Sequence, residues 1–486
     1  MKMNKHFLFL LIAIFLLPAG CTMAPKYTQP EALIPDQIPS WKENEDIQST
    51  DEVQIVSDIK WREFFTDRKL QQIIEMALEN NLDLRLAALN VEKVQALYGV
   101  RRSELFPVIN VVGGGGKQQT SADLTSPGDP RTTEQFNVNL GVTSWEIDFF
   151  GRIRSLEEQA LQEYLATEEA RRSAQITLIS EVARTYLILA ADRENLRLSQ
   201  STLETQQGSY DLIRLNYEVG IATELDLSRS QTQVDTAKRN IARYTQLVRR
   251  DQNALILLVG ITVPEDLLPL DLSGIIPLRE IFPDLSSEVL LVRPDILAAE
   301  YQLKAAYAFI GAARAAFFPR ISLTTFLGTA SDDLSGLFKS GTGTWSFAPQ
   351  VSLPIFDART WAAYNVSQAT QEIALARYEK AIQTAFREVA DTLAVRSTIN
   401  QQISSQQSIV DSGRKIYSLS EERYTAGIDS YLGVLDSQRS LYAAQQILTD
   451  LRLVGLANQV KLYAVLGGGG EPEDTDSTAD NRVPGK

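Results

Sequence analysis

Two long stretches of the chain, 151–263 and 355–471, contain no proline and carry apolar residues at helical spacing. In the first, Leu227, Val234, Ile241, Val248 and Leu255 recur every seven residues, with Ala237, Tyr244 and Leu258 at flanking positions. That spacing predicts a coiled-coil seam. In the second, Val434, Leu441, Leu448 and Leu462 repeat the pattern, interrupted at Gly455. Each stretch has one glycine-marked break, Tyr217-Glu218-Val219-Gly220 and Tyr424-Thr425-Ala426-Gly427. A long helix followed by a shorter one, a helical hairpin, is predicted on each side. A helix from Arg152 to Glu218 has 67 residues and extends about 100 Å at 1.5 Å per residue. Helices of that length predict a rod or tube.

A different period precedes each helical stretch. Phe136, Val138, Leu140 and Val142 alternate with Asn137, Asn139, Gly141 and Thr143; Trp345, Phe347, Val351 and Leu353 alternate with Ser346, Ala348, Gln350 and Ser352. Alternation of this kind suits the wall of a membrane β-barrel, with lipid on one face and water on the other. Partner strands are predicted after Phe106-Pro107 and Phe318-Pro319, joined by polar loops at Thr120–Glu134 and Ser331–Gly343. Four strands cannot close a membrane barrel, because about 8 is the smallest size known, and an open edge is not tolerated in lipid. If the strands enter a membrane, the chain must therefore oligomerise.

The two halves also match each other. One constant offset maps Arg152 to Arg359, Glu181-Val182-Ala183 to Glu388-Val389-Ala390, Tyr217 to Tyr424, Gly220-Ile221 to Gly427-Ile428 and Gly260 to Gly467, with no insertion between. Upstream a slightly longer offset maps Asp83 to Asp295 and Phe106-Pro107 to Phe318-Pro319. The chain is an internal duplication, and the length difference falls among strands and loops.

Composition removes most chemistry. The only histidine and the only cysteine, His6 and Cys21, fall at the head of the 486-residue chain. Histidine triads, zinc centres and disulfides are therefore excluded from the body of the protein. No catalytic constellation, metal site or cofactor site is expected, and the protein is read as a non-enzyme. With 61 acidic against 47 basic residues, a net charge of −14, nucleic acid is not an expected partner. The glycines 113–116 before Lys117 lack the upstream glycine and the following Ser or Thr of a phosphate loop, and are read as a strand or loop.

The N-terminus has a basic start at Lys2 and Lys5, an apolar run from Phe7 to Leu17, and then Pro18-Ala19-Gly20-Cys21. The run is too short to span a bilayer, and small residues followed by cysteine resemble a bacterial lipoprotein box. Residues 1–20 are thus expected to be a signal peptide and Cys21 to carry a covalent lipid. Thr22, in place of an aspartate that favours inner-membrane retention, points to outer-membrane delivery.

Longer motifs carry a family resemblance. They are Ala24-Pro25-Lys26-Tyr27, Trp61-Arg62-Glu63-Phe64-Phe65, Asn81-Leu82-Asp83-Leu84-Arg85, Arg293-Pro294-Asp295-Ile296, Ile310 to Pro319, Tyr424 to Gly427, Leu435 to Leu441 and Leu466-Gly467-Gly468. Together they span nearly all of the chain after Cys21, and the chain resembles the TolC-type outer-membrane efflux factors, in the lipoprotein branch typified by OprM, CusC and NodT. The resemblance implies an α+β membrane protein. In it, a homotrimeric 12-stranded outer-membrane β-barrel, four strands from each chain, continues into a long periplasmic α-helical barrel. It also implies a passive exit duct that meets a periplasmic adaptor and an inner-membrane resistance-nodulation-division pump and exports small molecules such as drugs. The protein is thereby placed in the cell outer membrane, lipid-anchored and extending into the periplasm.

On this reading residues 21–66 form the lipidated N-terminal segment with equatorial contacts. Residues 67–263 form the first repeat, with strands about 107–119 and 135–147; 264–294 form the equatorial connector; 295–470 form the second repeat, with strands about 320–330 and 344–354; and 471–486 form a disordered acidic tail. A lipid-anchored periplasmic coiled-coil scaffold without a pore is the competing reading, and the strand alternation speaks against it.

The hairpin turns at Gly220 and Gly427 are the expected periplasmic tips and adaptor contacts. The resemblance carries the linking tyrosine of the tunnel gate to Tyr424, the ring aspartate to Asp436 and the first-half carboxylate to Asp226. Because another ring position falls on Gly433, Asp429 and Glu224 join the candidate gate. Thr223-Glu224-Leu225-Asp226 also has the form of a capping box, and Asp429 and Ser430 could cap the helix that follows.

Overall fold

The computed structural model describes residues 22–31, 33–35, 37, 59–275, 278–279 and 287–469. Eight helices and four strands form along the described chain: α1 (Trp61–Phe64), α2 (Arg68–Asn80), α3 (Leu82–Ser103), β1 (Ile109–Gln119), β2 (Thr132–Ile147), α4 (Arg152–Glu218), α5 (Glu224–Val259), α6 (Pro294–Ala315), β3 (Arg320–Ser331), β4 (Gly343–Ser352), α7 (Ala358–Thr425) and α8 (Tyr431–Val465). The duplication is visible as matched lengths: α3 and α6 have 22 residues each, α4 and α7 have 67 and 68, and α5 and α8 have 36 and 35. The 67-residue helix anticipated from the proline-free stretch runs between the same two residues, Arg152 and Glu218. No described helix is long and apolar enough to cross a membrane.

The chain divides into two compact units, each drawing on both halves. Among the described residues, one takes in those of 22–31, 90–167 and 298–378, and the other those of 33–89, 168–297 and 379–469. The first unit contains one antiparallel sheet in the order β1-β2-β3-β4. Its register places Val111 opposite Leu140, Leu140 opposite Leu327 and Leu327 opposite Trp345. Because side chains alternate across a strand, Ile109, Val111, Val138, Val142, Leu323, Phe347 and Val351 share that apolar face. Asn110, Gln118, Asn137, Asn139, Ser322, Ser346 and Gln350 occupy the opposite, mostly polar face.

A bulge between Val142 and Trp145 keeps this separation intact. It adds a residue to β2, so that Trp145 and Ile147 fall opposite Leu323 and Ile321 on the apolar face. Ser144 takes the extra position in the left-handed region, at φ 54°, and its N–H donates to Thr324 Oγ1 at 3.1 Å. The order leaves β1 and β4 each paired on one side only.

The second unit is built on a conventional core. Leu70, Ile73, Ile74 and Ala77 form the buried stripe of α2, whose N-terminus is capped by Asp67 accepting from the Lys69 and Leu70 N–H groups. Phe64 stacks on Tyr463 at 4.1 Å between ring centroids, and the Tyr463 hydroxyl donates to the Ile59 carbonyl. Gly260 ends α5 at φ +83°, where a Cβ would lie 2.4 Å from the Asn80 carbonyl oxygen, so both the turn and the close approach require glycine.

The heptad positions of α5 and α8 are mostly buried or half-buried. Val234, Leu255, Val434, Leu448 and Leu462 are buried, as expected of seam residues.

Candidate functional site at the helical turns

The two hairpin turns lie in the same unit and are built alike. After α4, the Gly220 N–H donates to the Tyr217 carbonyl at 3.0 Å and the Ile221 N–H reaches back to the Asn216 carbonyl at 2.8 Å. After α7, Gly427 donates to the Tyr424 carbonyl at 2.9 Å and Ile428 to the Arg423 carbonyl at 2.9 Å. Gly220 and Gly427 adopt φ of +78° and +73°, and a Cβ on either would meet open space. Helix termination in the left-handed conformation, not packing, therefore selects glycine at both turns. Ile221 and Ile428 remain 77% and 64% exposed at the turns, an apolar surface facing away from the chain's own core.

Beneath the turns the four helix ends share one cluster. Ile213 from α4 and Tyr431, Val434 and Leu435 from α8 are buried, with Ala222, Leu227, Tyr417 and Tyr424 packed against them. Tyr424 lies 5.2 Å from the Tyr431 ring at an interplanar angle of 56°. It thus belongs to the packing that holds one turn against the other.

Three of the four candidate carboxylates, Asp226, Asp429 and Asp436, have a local partner. Asp226 closes a capping box: its N–H donates to Thr223 Oγ1 at 3.2 Å, and its Oδ2 accepts from the Thr223 N–H at 3.3 Å and hydroxyl at 2.6 Å. Asp429 pairs with Arg423, with Nη2 donating to Oδ1 at 3.2 Å. The hydrogen bond from Arg423 holds the Asp429 carboxyl below the usual carboxylate range, and Asp429 in turn raises the guanidinium. Ser430 occupies the N-cap position of α8 without a side-chain cap bond, so the second turn is secured by the ion pair instead of a box.

Asp436 is exposed on α8 and accepts from Arg439 Nη2 at 2.6 Å, one helical turn on. Glu224 is the exposed first residue of α5. Asp436 and Arg439 also line an open groove of about 220 Å³ with Arg229, Thr232, Gln233, Leu432 and Leu435.

The structure therefore brings Tyr424 to Tyr431 but pairs Asp226, Asp429 and Asp436 separately with Thr223, Arg423 and Arg439. Local spacing in the chain discloses only one of the two arginine partners. Arg439, three residues after Asp436, had a readable helical signal; Arg423 meets Asp429 only because the turn folds back.

Cys21 lies outside the described residues, as do the expected signal peptide at 1–20 and the tail at 471–486. The segment that follows Cys21 is fixed along α6. The Tyr27 hydroxyl donates to Glu300 at 3.0 Å, the Tyr27 ring meets Tyr307 edge-on at 5.5 Å, and Lys304 lies 5.3 Å from the Tyr27 ring centroid. At Gly311 the chain approaches so closely that a Cβ would lie 2.8 Å from Ala24 Cα.

A family model described as outer membrane efflux protein matches residues 73–261 and 285–468. The chain is 45% identical over 469 residues to the toluene efflux pump outer membrane protein TtgC of Pseudomonas putida, covering 96% of each chain. It is 39% identical over 460 residues to the probable outer membrane lipoprotein SilC of Salmonella typhimurium, covering 94% of this chain and 97% of that protein. Among solved structures, the open state of the Neisseria gonorrhoeae MtrE outer membrane channel superposes with a TM-score of 0.82 at 36% identity, covering 92% of this chain and 98% of MtrE.

Proposed function

The chain belongs to the outer membrane efflux protein family, and on that premise we propose that it is the exit duct of a tripartite efflux system. Three copies close a 12-stranded barrel in the outer membrane, and their helices form the periplasmic conduit beneath it. One observation supports this most directly: the four-stranded sheet is apolar on one face and polar on the other, and both of its outer strands lack a partner. In lipid such edges demand closure, and further copies of the same sheet supply it. A coiled-coil scaffold without a pore gives these strands no role.

The acylated Cys21 anchors the protein, with the following segment tied to α6. The exposed turns at Gly220 and Gly427 receive a periplasmic adaptor, which couples the duct to an inner-membrane resistance-nodulation-division pump. Tyr424, Asp429, Asp436, Asp226 and Glu224 form the periplasmic gate, in which aspartates from three copies repel one another and attract cations. The arginines paired with Asp429 and Asp436 offset part of that repulsion in the closed state. The cargo consists of small toxic molecules, of the kinds for which relatives are named: toluene, solvents and antibiotics.

The test is the mass of the fully acylated protein in detergent, followed by its conductance in planar bilayers. Trimers that conduct are expected; a protein that remains monomeric and never conducts would overturn the reading.

A further inference from the structure

Partway along the two hairpins, a single hydroxyl joins three helices. Tyr442 on α8 meets Ser199 Oγ on α4 at 2.8 Å, Asn240 Nδ2 on α5 at 3.3 Å and Gln446 Nε2, one turn on in α8, at 3.2 Å. A phenol has one proton to give and two lone pairs to fill, and all three are used. Asn240 and Gln446 donate to the lone pairs. The Ser199 hydroxyl gives its own proton to the Asn195 carbonyl at 2.8 Å, so Tyr442 donates to Ser199 Oγ. The second amide proton of Gln446 goes to the Tyr244 hydroxyl on α5. Ser199 is fully buried, so water cannot take the place of Tyr442 there.

This layer marks a boundary along α8. On the side away from the turns, hydrogen bonds tie α8 to its neighbours. The Thr449 hydroxyl donates to Glu194 on α4 at 3.2 Å, Gln406 on α7 donates to the Ala444 carbonyl at 2.9 Å, and Asn458 donates to the Thr392 carbonyl on α7 at 3.1 Å. On the turn side lie the eleven residues from Tyr431 to Leu441, roughly 17 Å at 1.5 Å per residue. There the polar side chains of α8 bond within their own helix, Ser437 to the Val434 carbonyl and Arg439 to Asp436. The buried Tyr431 hydroxyl makes no hydrogen bond, although Ser209 of α4 lies close to it. Contact with the first hairpin on this side is carried by packing, with Ile213 and Leu227 against Tyr431, Val434 and Leu435.

The duplication does not copy the layer. The offset that maps Tyr217 to Tyr424 puts Asp235 and Arg239 in the places of Tyr442 and Gln446, and both are exposed on α5. Only the second half supplies the joining hydroxyl.

We propose that the Tyr442 layer is the register lock of α8 against the first hairpin, and the pivot from which the turn-side ends of the helices shift. Apolar contact is non-directional, so the seam between Tyr442 and the turns can repack in more than one register. Hydrogen bonds cannot follow: a slide of one residue, about 1.5 Å, carries donors out of reach of their acceptors. The layer therefore fixes one register where the seam alone allows several, as a single polar position does in a coiled coil. The lock stands on these bonds; the pivot rests on the proposed gating role of the turns.

The test uses the full-length acylated protein in detergent, with spin labels on paired cysteine substitutions and labelled chains diluted among unlabelled ones. Cys21 is the only native cysteine, and its acylation leaves no thiol to compete. Leu212→Cys with Leu432→Cys reports the turn side, and Arg184→Cys with Val454→Cys reports the far side; all four positions are exposed. Double electron–electron resonance should give one narrow distance for each pair. Tyr442→Phe keeps the ring and removes the hydroxyl. It should widen the turn-side distribution by about 5 Å, one helical turn, and leave the far-side pair unchanged. Ser199→Ala, which removes only the acceptor on α4, should widen it less. A turn-side distribution in Tyr442→Phe as narrow as in the wild type, or equal widening of both pairs, would overturn the lock. If Tyr442→Phe fails to fold, Ser199→Ala and Asn240→Ala decide by the same two distances. Conductance should rise in Tyr442→Phe as the turns gain freedom. Wild-type conductance with a widened turn-side distance refutes the pivot alone, and a protein that never conducts refutes the duct while the distances still decide the lock.

Discussion

Replacing Arg293 tests how the connector is fixed to the helices it joins. The side chain is 9% exposed and its guanidinium makes four hydrogen bonds. Nε and Nη2 donate to the two Asp295 oxygens at 3.0 and 2.8 Å, Nη2 also donates to Glu388 Oε2 at 2.9 Å, and Nη1 donates to the Val465 carbonyl at 2.8 Å. One residue thus links the start of α6, the body of α7 and the end of α8.

Removing one partner of a buried ion pair costs about 3–5 kcal/mol. The Asp295 and Glu388 side chains are 41% and 39% exposed, so water recovers part of their loss and the lower end of that range applies. The Val465 carbonyl loses its donor for about 1 kcal/mol more. We expect Arg293→Ala to lose roughly 3–4 kcal/mol on these terms. Arg293→Lys, which keeps the charge but cannot span three acceptors, should lose about half of that.

Urea titration in detergent, followed by the fluorescence of Trp61, which is buried in the same unit, measures the difference. An Arg293→Ala variant within about 0.5 kcal/mol of wild type, the size of an ordinary surface change, would show that the network adds nothing. A lysine variant as damaged as the alanine variant would show that charge without fork geometry contributes nothing.

Three further outcomes are expected. Tyr424→Ala combined with Asp436→Ala should raise single-channel conductance in planar bilayers without altering trimer assembly, because the first removes the ring packed on Tyr431 and the second the charge paired with Arg439; unchanged conductance would sink the gate. Gly311→Leu should displace the segment at Ala24, since even its Cβ falls 2.7 Å from Ser155 Oγ and 2.8 Å from Ala24, and limited proteolysis near Met23 should accelerate several-fold. In acid, Asp271 should release the connector. Hydrogen bonds from Ser273, Arg197 and Gly274 hold its carboxyl at about 2, so its contribution is full above about pH 4 and is lost as pH falls through 2. Asp271→Asn should flatten the unfolding profile in that window.

The gate candidates differ in how far the chain itself disclosed them. Thr223 and Asp226 lie three residues apart, and their capping box is legible because both bonds close within one helical turn. Gly220 and Gly427 are legible for the same reason: a left-handed terminus has a composition of its own. The pairing of Asp429 with Arg423 depends on the path of the turn between them. The packing of Tyr424 on Tyr431 also depends on Ile213 and Leu227 closing the cluster from the other half of the chain, and no local rule reports that.

The same division runs through the whole protein. Helix lengths, the two hairpins, the duplication and the alternating strands are properties of a few adjacent residues repeated many times, and backbone geometry alone makes them visible in the sequence. Tertiary structure decided what faces what. It set the register that gathers Val111, Leu140, Leu327 and Trp345 on one face, and the bulge at Ser144 that returns Trp145 to it. It also brought Glu388 and the Val465 carbonyl to the Arg293 guanidinium. These contacts join positions far apart in the chain, so their geometry exists only once the intervening helices have packed.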